Sequence, residues 1–176
     1  MTSVRLLAIV LIALAVDAAS EGMQVSTVAR DGRVYVSCAL AAGVLAEVDE
    51  AIQSGLATTV SYEADLRRPV SVWLDRTLVS STVTAAVQRD TLTGRYQISR
   101  SVDGRLEDSR VTDDKTAMQR FVMTFDRLPL FTAADLEPNA EYYVRVRVRT
   151  RPRVTWFFWP WDRPTATGFA RFTFIP

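Results

Sequence analysis

The sequence predicts a mainly β protein, an antiparallel β-sandwich or curled sheet of about eight strands with two covering helices. Three observations carry that reading. The stretch Glu141–Arg151 alternates strictly. Tyr142, Val144, Val146 and Val148 fall on one side, and Tyr143, Arg145, Arg147, Arg149 and Arg151 on the other, because successive strand side chains point to opposite faces. Asp31-Gly32 and Asp103-Gly104 each separate two alternating runs, the pattern of a tight hairpin. Only two segments carry a helical period. They do not alternate regularly with the strands, which argues against a doubly wound parallel sheet.

The elements follow in chain order. Gln24–Ala29 and Arg33–Leu40 flank the first Asp-Gly. In the second run Val34, Val36, Cys38 and Leu40 share a face, which puts the cysteine in the core. Val44–Ser54 changes period: Val44, Leu45, Val48, Ala51 and Ile52 recur every three or four residues, and Gly55 is placed to end the helix. Leu56–Asp65 alternates again as a strand. Arg67-Arg68-Pro69 interrupts it, and Val70–Leu74 resumes. The apolar parity switches between Leu74 and Val79, so a bulge or turn is expected near Asp75–Thr77.

Thr77–Arg89 reads as a long strand, Asp90–Gly94 as a turn, and Arg95–Val102 with Arg105–Val111 as the second hairpin. Thr112–Phe125 reads as the second helix, capped by Thr112, with Asp113 and Asp114 in its first turn and Ala117, Met118, Phe121, Val122 and Phe125 as its apolar stripe. Leu128–Phe131 is an apolar connector, and Thr132 caps a short turn through Leu136. Pro138-Asn139 leads into the arginine strand, and Gly168–Ile175 is the last strand.

A chain of 176 residues fits one domain. A net charge of +1 gives no bulk attraction to nucleic acid, and none is expected as a partner. The N-terminus reads as an export signal: Arg5, then the apolar run Leu6–Val16, then Val16-Asp17-Ala18 as a cleavage site. An uncleaved anchor is the alternative. The expected organisation is a signal at residues 1–18 and a single β-rich domain at 19–176, periplasmic or secreted.

Cys38 is the only cysteine and there is no histidine. Serine–histidine, cysteine–histidine and histidine–metal chemistries are thereby excluded. No calcium-loop spacing and no glycine-rich phosphate loop occurs. The chain reads as a non-enzyme, with no catalytic residue, no metal and no cofactor.

Two surfaces remain as binding candidates. On one, Arg145, Arg147, Arg149 and Arg151 stand about 6.6–6.8 Å apart along a strand. They either face an anionic ligand or pair with acids on neighbouring strands, such as Glu63, Asp65, Glu107 or Asp108. The other is the aromatic segment Trp156, Phe157, Phe158, Trp159 and Trp161. It either inserts into a membrane interface, a sugar or a partner's groove, or folds as a cap over the end of the core. Asp113-Asp114 and Glu47/Glu50 are read as helix-terminal and solvated charges.

Glu50–Leu56, Leu66-Arg67-Arg68 before Trp73, Leu92–Tyr96, Leu128-Pro129-Leu130 and Tyr142–Arg149 together resemble an uncharacterised bacterial family, the domain of unknown function 4390. The resemblance spans roughly residues 25–176. It implies an exported protein encoded beside sensor-kinase operons of the nitrogen-regulation type, so that a sensor kinase becomes one expected partner by analogy. It implies no activity and no site residues. Leu136–Val146 is also similar to the tyrosine corner of fibronectin type III domains, which implies that the Tyr142 hydroxyl bonds back to upstream backbone. The expected function is a non-enzymatic interaction module that presents the arginine face and the aromatic segment to a protein or envelope component, with membrane contact through the aromatics. A periplasmic carbohydrate- or lipid-binding protein is the alternative.

Overall fold

Asp31 and Gly32 both adopt positive φ, 51° and 70°, the geometry a two-residue hairpin needs to match strand twist. They join β1 (Met23–Arg30) to β2 (Arg33–Leu40) in the register Arg30↔Arg33 through Met23↔Leu40. This computed structural model describes residues 22–41, 43, 44, 46–70, 75–152 and 166–175.

Helix α1 (Ala46–Gln53) ends as its sequence requires. Gly55 sits at φ 83°, its N–H donates to the Ile52 carbonyl, and the Leu56 N–H donates to the Ala51 carbonyl. This double bond pattern is the Schellman motif, and only glycine takes that backbone position without strain. Strand β3 (Thr58–Arg68) then pairs with β4 (Arg76–Arg89). Arg67 and Arg68 belong to β3 and do not interrupt it. The break in parity is a register shift at Leu66/Arg67, where Leu66 opposes Val79, Arg67 opposes Thr77 and Leu78 is left over. The expected strand residues Ser71–Leu74 lie outside the described residues.

Strands β5 (Tyr96–Val102) and β6 (Arg105–Thr112) form the second hairpin, with Asp103 at φ 49° and Gly104 at φ 80°. Helix α2 spans Lys115–Met123, shorter than its periodicity suggests. Its N-cap is Asp114, whose carboxylate accepts the Thr116 N–H at 2.7 Å. The Thr112 hydroxyl accepts the Asp114 N–H one step earlier. Phe125 keeps its place in the apolar stripe but belongs to β7 (Thr124–Thr132). The segment expected as a connector is therefore a strand, paired with β2 through two register shifts. The expected turn after it is present: the Thr132 hydroxyl accepts the Ala134 N–H. Strands β8 (Glu141–Pro152) and β9 (Ala166–Thr173) complete the described elements.

The nine described strands form two antiparallel sheets. One runs β1-β2-β7 and the other β6-β5-β4-β3-β8-β9. A single core lies between them. Val34 and Val36 of β2 and Phe125 of β7 meet Val60 and Tyr62 of β3, Val144, Val146 and Val148 of β8, and Met118 and Val122 of α2. The Tyr62 ring meets Phe125 edge-on at 5.3 Å. Its hydroxyl donates to the Val122 carbonyl, which satisfies the last turn of α2. Where β9 crosses β1 the backbones come close. A Cβ on Gly168 would lie 2.7 Å from Val25 Cγ2 and 3.3 Å from Met23, so glycine sets the approach.

Candidate binding face of the six-stranded sheet

Strand β8 lies between β3 and β9. Its even residues Val144, Val146 and Val148 are fully buried. The pleat therefore turns Arg145, Arg147 and Arg149 to the opposite, outer face. Register then decides their partners: Asp65↔Arg145, Glu63↔Arg147 and Ser61↔Arg149. Of the acids weighed from sequence, Glu63 and Asp65 of β3 are the ones paired with this row. Asp108 lies 3.8 Å from Arg110 instead.

The pairing forms a ladder. Arg145 donates to Asp65 Oδ2 through Nη2 at 2.7 Å and Nε at 3.3 Å. Arg147 Nη2 donates to the same oxygen at 3.1 Å and lies 3.3 Å from Glu63. Arg149 Nε lies 3.5 Å from Glu63. Ser80 donates to the other Asp65 oxygen at 2.7 Å. Burial pushes the Asp65 pKa up, but the hydrogen bonds from Arg145 and Ser80 and the charge of Arg147 outweigh it, and the carboxyl is held below its usual range. Three guanidiniums on side chains 26–29% exposed thus face two carboxylates. The row is a fixed arginine strip.

An aromatic group continues the strip along β8. Tyr143 stands on the arginine parity and donates its hydroxyl to the Asp75 carboxylate, which lowers the Asp75 pKa. Arg67 lies over the Tyr143 ring at 5.8 Å and donates to the Asp75 carbonyl at 2.7 Å. On β9, Phe169 packs 6.3 Å from Tyr143 and stays 48% exposed. Sequence reading placed Tyr143 on this face but gave it no role. Phe169 became part of the face only once β9 was known to pair with β8, Arg145 opposite Phe169.

The other sequence candidates, Trp156, Phe157, Phe158, Trp159 and Trp161, lie outside the described residues, as does the side chain of Arg151. Strand β8 ends at Pro152, so the aromatic segment continues the chain from the strand that bears the ladder. The N-terminal apolar run and Trp73 also lie outside the described residues. Among the described residues no cluster of His, Cys, Asp and Glu is placed to hold a metal ion, and no helix is long and apolar enough to cross a membrane. Cys38 is 4% exposed, and burial pushes its thiol up to about 12.

A family model described as Domain of unknown function (DUF4390) matches residues 18–153, a span that holds the ladder and all of the elements from β1 to β8. No curated protein and no solved structure matches the chain.

Proposed function

We infer function from geometry, because this chain belongs to the DUF4390 family, a domain of unknown function, and we propose that it is an exported, non-enzymatic interaction module. Its docking surface is the outer face of the six-stranded sheet together with the aromatic segment that follows β8. The observation that carries this is the ladder itself. Arg145, Arg147 and Arg149 are held by Glu63 and Asp65 on a central strand pair, so binding need not order them. The arginine row beside the exposed Phe169 suits a partner that offers carboxylates around an apolar anchor. That partner is a protein or envelope component, with a sensor kinase the version suggested by analogy. Residues 1–18 direct export, and the Trp156–Trp161 segment supplies any membrane contact.

The test is association of the full chain with solubilised envelope. Trp159→Ala/Trp161→Ala and Arg149→Gln should each weaken it, with the thermal midpoint unchanged. Unfolding of the tryptophan variant would make these residues core, and unaltered binding in both would remove this face from the reading.

A second reading, a lipid- or carbohydrate-binding protein, has one observation in its favour. Between α1 and α2 lies a cavity of about 240 Å³ lined by Val48, Ile52, Met118, Val122 and Met123, with Asp49 and Gln119 as its polar groups. Salt separates the two readings. Docking on the arginine strip weakens as ionic strength rises, whereas an acyl chain in the helix cavity is indifferent to it.

A further inference from the structure

Arg100 sits where the parity of Tyr96 and Ile98 calls for an apolar residue, and register puts Arg110 on the same side. In the β5–β6 hairpin Ile98 opposes Arg110, and Arg100 shares the side of the buried Tyr96 and Ile98. Both guanidiniums therefore turn toward α2 and meet the same ring. Arg100 lies 4.3 Å and Arg110 4.9 Å from the centre of Phe121. Arg100 Nη2 donates to the carbonyls of Phe121 at 2.5 Å and Thr124 at 2.8 Å, at the end of α2 where the helix dipole favours a cation. Its Nε is buried with no hydrogen-bond partner. Burial lowers the Arg100 pKa, against the opposing charge of Asp108 across the hairpin.

Beside this pair lies a groove of about 410 Å³, within the roughly 300–1,000 Å³ of small-molecule sites. Arg120 of α2 also lines it, so three arginines border the groove, with Ala117 of α2 as an apolar neighbour. The acids nearby do not balance them. Asp126 lines the groove, but its carboxylate is engaged by Ser37 at 2.7 Å and Arg127 at 3.1 Å. Asp108 approaches Arg110 only to 3.8 Å.

We propose that this groove binds a small amphiphilic oxyanion, a phosphate, carboxylate or sulfonate on an apolar body. The anionic group is held by Arg110 and Arg120, and the body lies along α2 beside Ala117, over the Arg110 guanidinium that covers Phe121. The ladder stands on the other face of the sheet, so this site does not depend on the docking reading above.

The test is a fluorescence titration of the full chain with anilinonaphthalene sulfonate, an aryl oxyanion that brightens when bound. Saturable binding is expected, weakened by about tenfold or more in Arg110→Gln/Arg120→Gln. Both residues are exposed, so the fold should survive, as near-ultraviolet circular dichroism would show. Arg30→Gln/Arg76→Gln removes the same charge elsewhere and should leave the affinity unchanged. Phenylnaphthylamine, the neutral counterpart, should bind about tenfold more weakly. Equal affinity in the Arg110/Arg120 variant, or equal affinity for the neutral dye, would overturn the site and assign the dye to apolar space. Where the site stands, competition by dodecyl phosphate but not by phosphatidic acid vesicles identifies a free ligand. Competition by both identifies a lipid headgroup.

Discussion

The hydroxyl of Tyr142 accepts the backbone N–H of Glu137 at 2.8 Å, closing the corner through which the chain turns into β8. The Tyr142 ring is 2% exposed and packs 5.9 Å from Phe172 of β9. The same residue therefore fixes the corner with its oxygen and the sheet with its ring. Tyr142→Phe keeps the packing and returns the Glu137 N–H to water, so it should cost about 1 kcal/mol. Tyr142→Ala, which also leaves a cavity, should cost about 4 kcal/mol. Urea unfolding of the three proteins measures both. A neutral Tyr142→Phe would show that the corner holds without its hydrogen bond.

Gly168 sets how closely β9 approaches β1. In Gly168→Ala the new methyl meets Val25 Cγ2, whose branch lies close to its backbone and gives way little. The strands must move apart, at about 2 kcal/mol. Amide exchange should accelerate first along β1, the strand that moves. An unshifted urea midpoint would mean that this seam has slack.

The parts that could be read ahead of the structure are those fixed by local chemistry. The Asp-Gly turns, the glycine at the end of α1 and the tyrosine corner each need particular residues within a few positions. β7 could not be read that way. Thr124–Thr132 contains Pro129, lacks clean alternation and is a strand because β2 pairs with it across two register shifts. The cap of α2 was ambiguous for a local reason: Thr112 and Asp114 both bind backbone N–H groups, one just ahead of the other. In the candidate site the arginine row was legible as a row. Its pairing with Glu63 and Asp65 depends on β3 lying beside β8, a non-local fact. Arg100 carried a visible signal, charge on the apolar parity of β5, whose meaning emerges only with α2 in place; Arg110 joins it through register alone.

Cys38 should be inert in the folded protein. Its thiol is buried against the core and shifted up to about 12, so almost no thiolate exists near neutral pH. Labelling with a disulfide reagent should be slow in buffer, and complete within the mixing time in concentrated urea. The native rate should rise with urea in step with the unfolded fraction. Rapid labelling without denaturant would place the thiol at an opening that the folded chain does not show.

Asp65 links the ladder to pH. The residue is 4% exposed, its carboxyl is bound by Arg145, Arg147 and Ser80, and its folded pKa lies below the unfolded value. A depressed carboxylate contributes stability that is fully present above the unfolded pKa of about 3.9 and lost as pH falls through the folded value. At neutral pH, Asp65→Asn removes the charge that holds two partly buried guanidiniums and should cost about 3 kcal/mol. Below about pH 4 the native chain loses that contribution by protonation, whereas the variant has no such group to titrate. The difference in urea midpoint between the two proteins should therefore shrink steadily as acid is added. A gap that stays constant down to about pH 2 would mean that the amide perturbs packing and that the ion pairs contribute little.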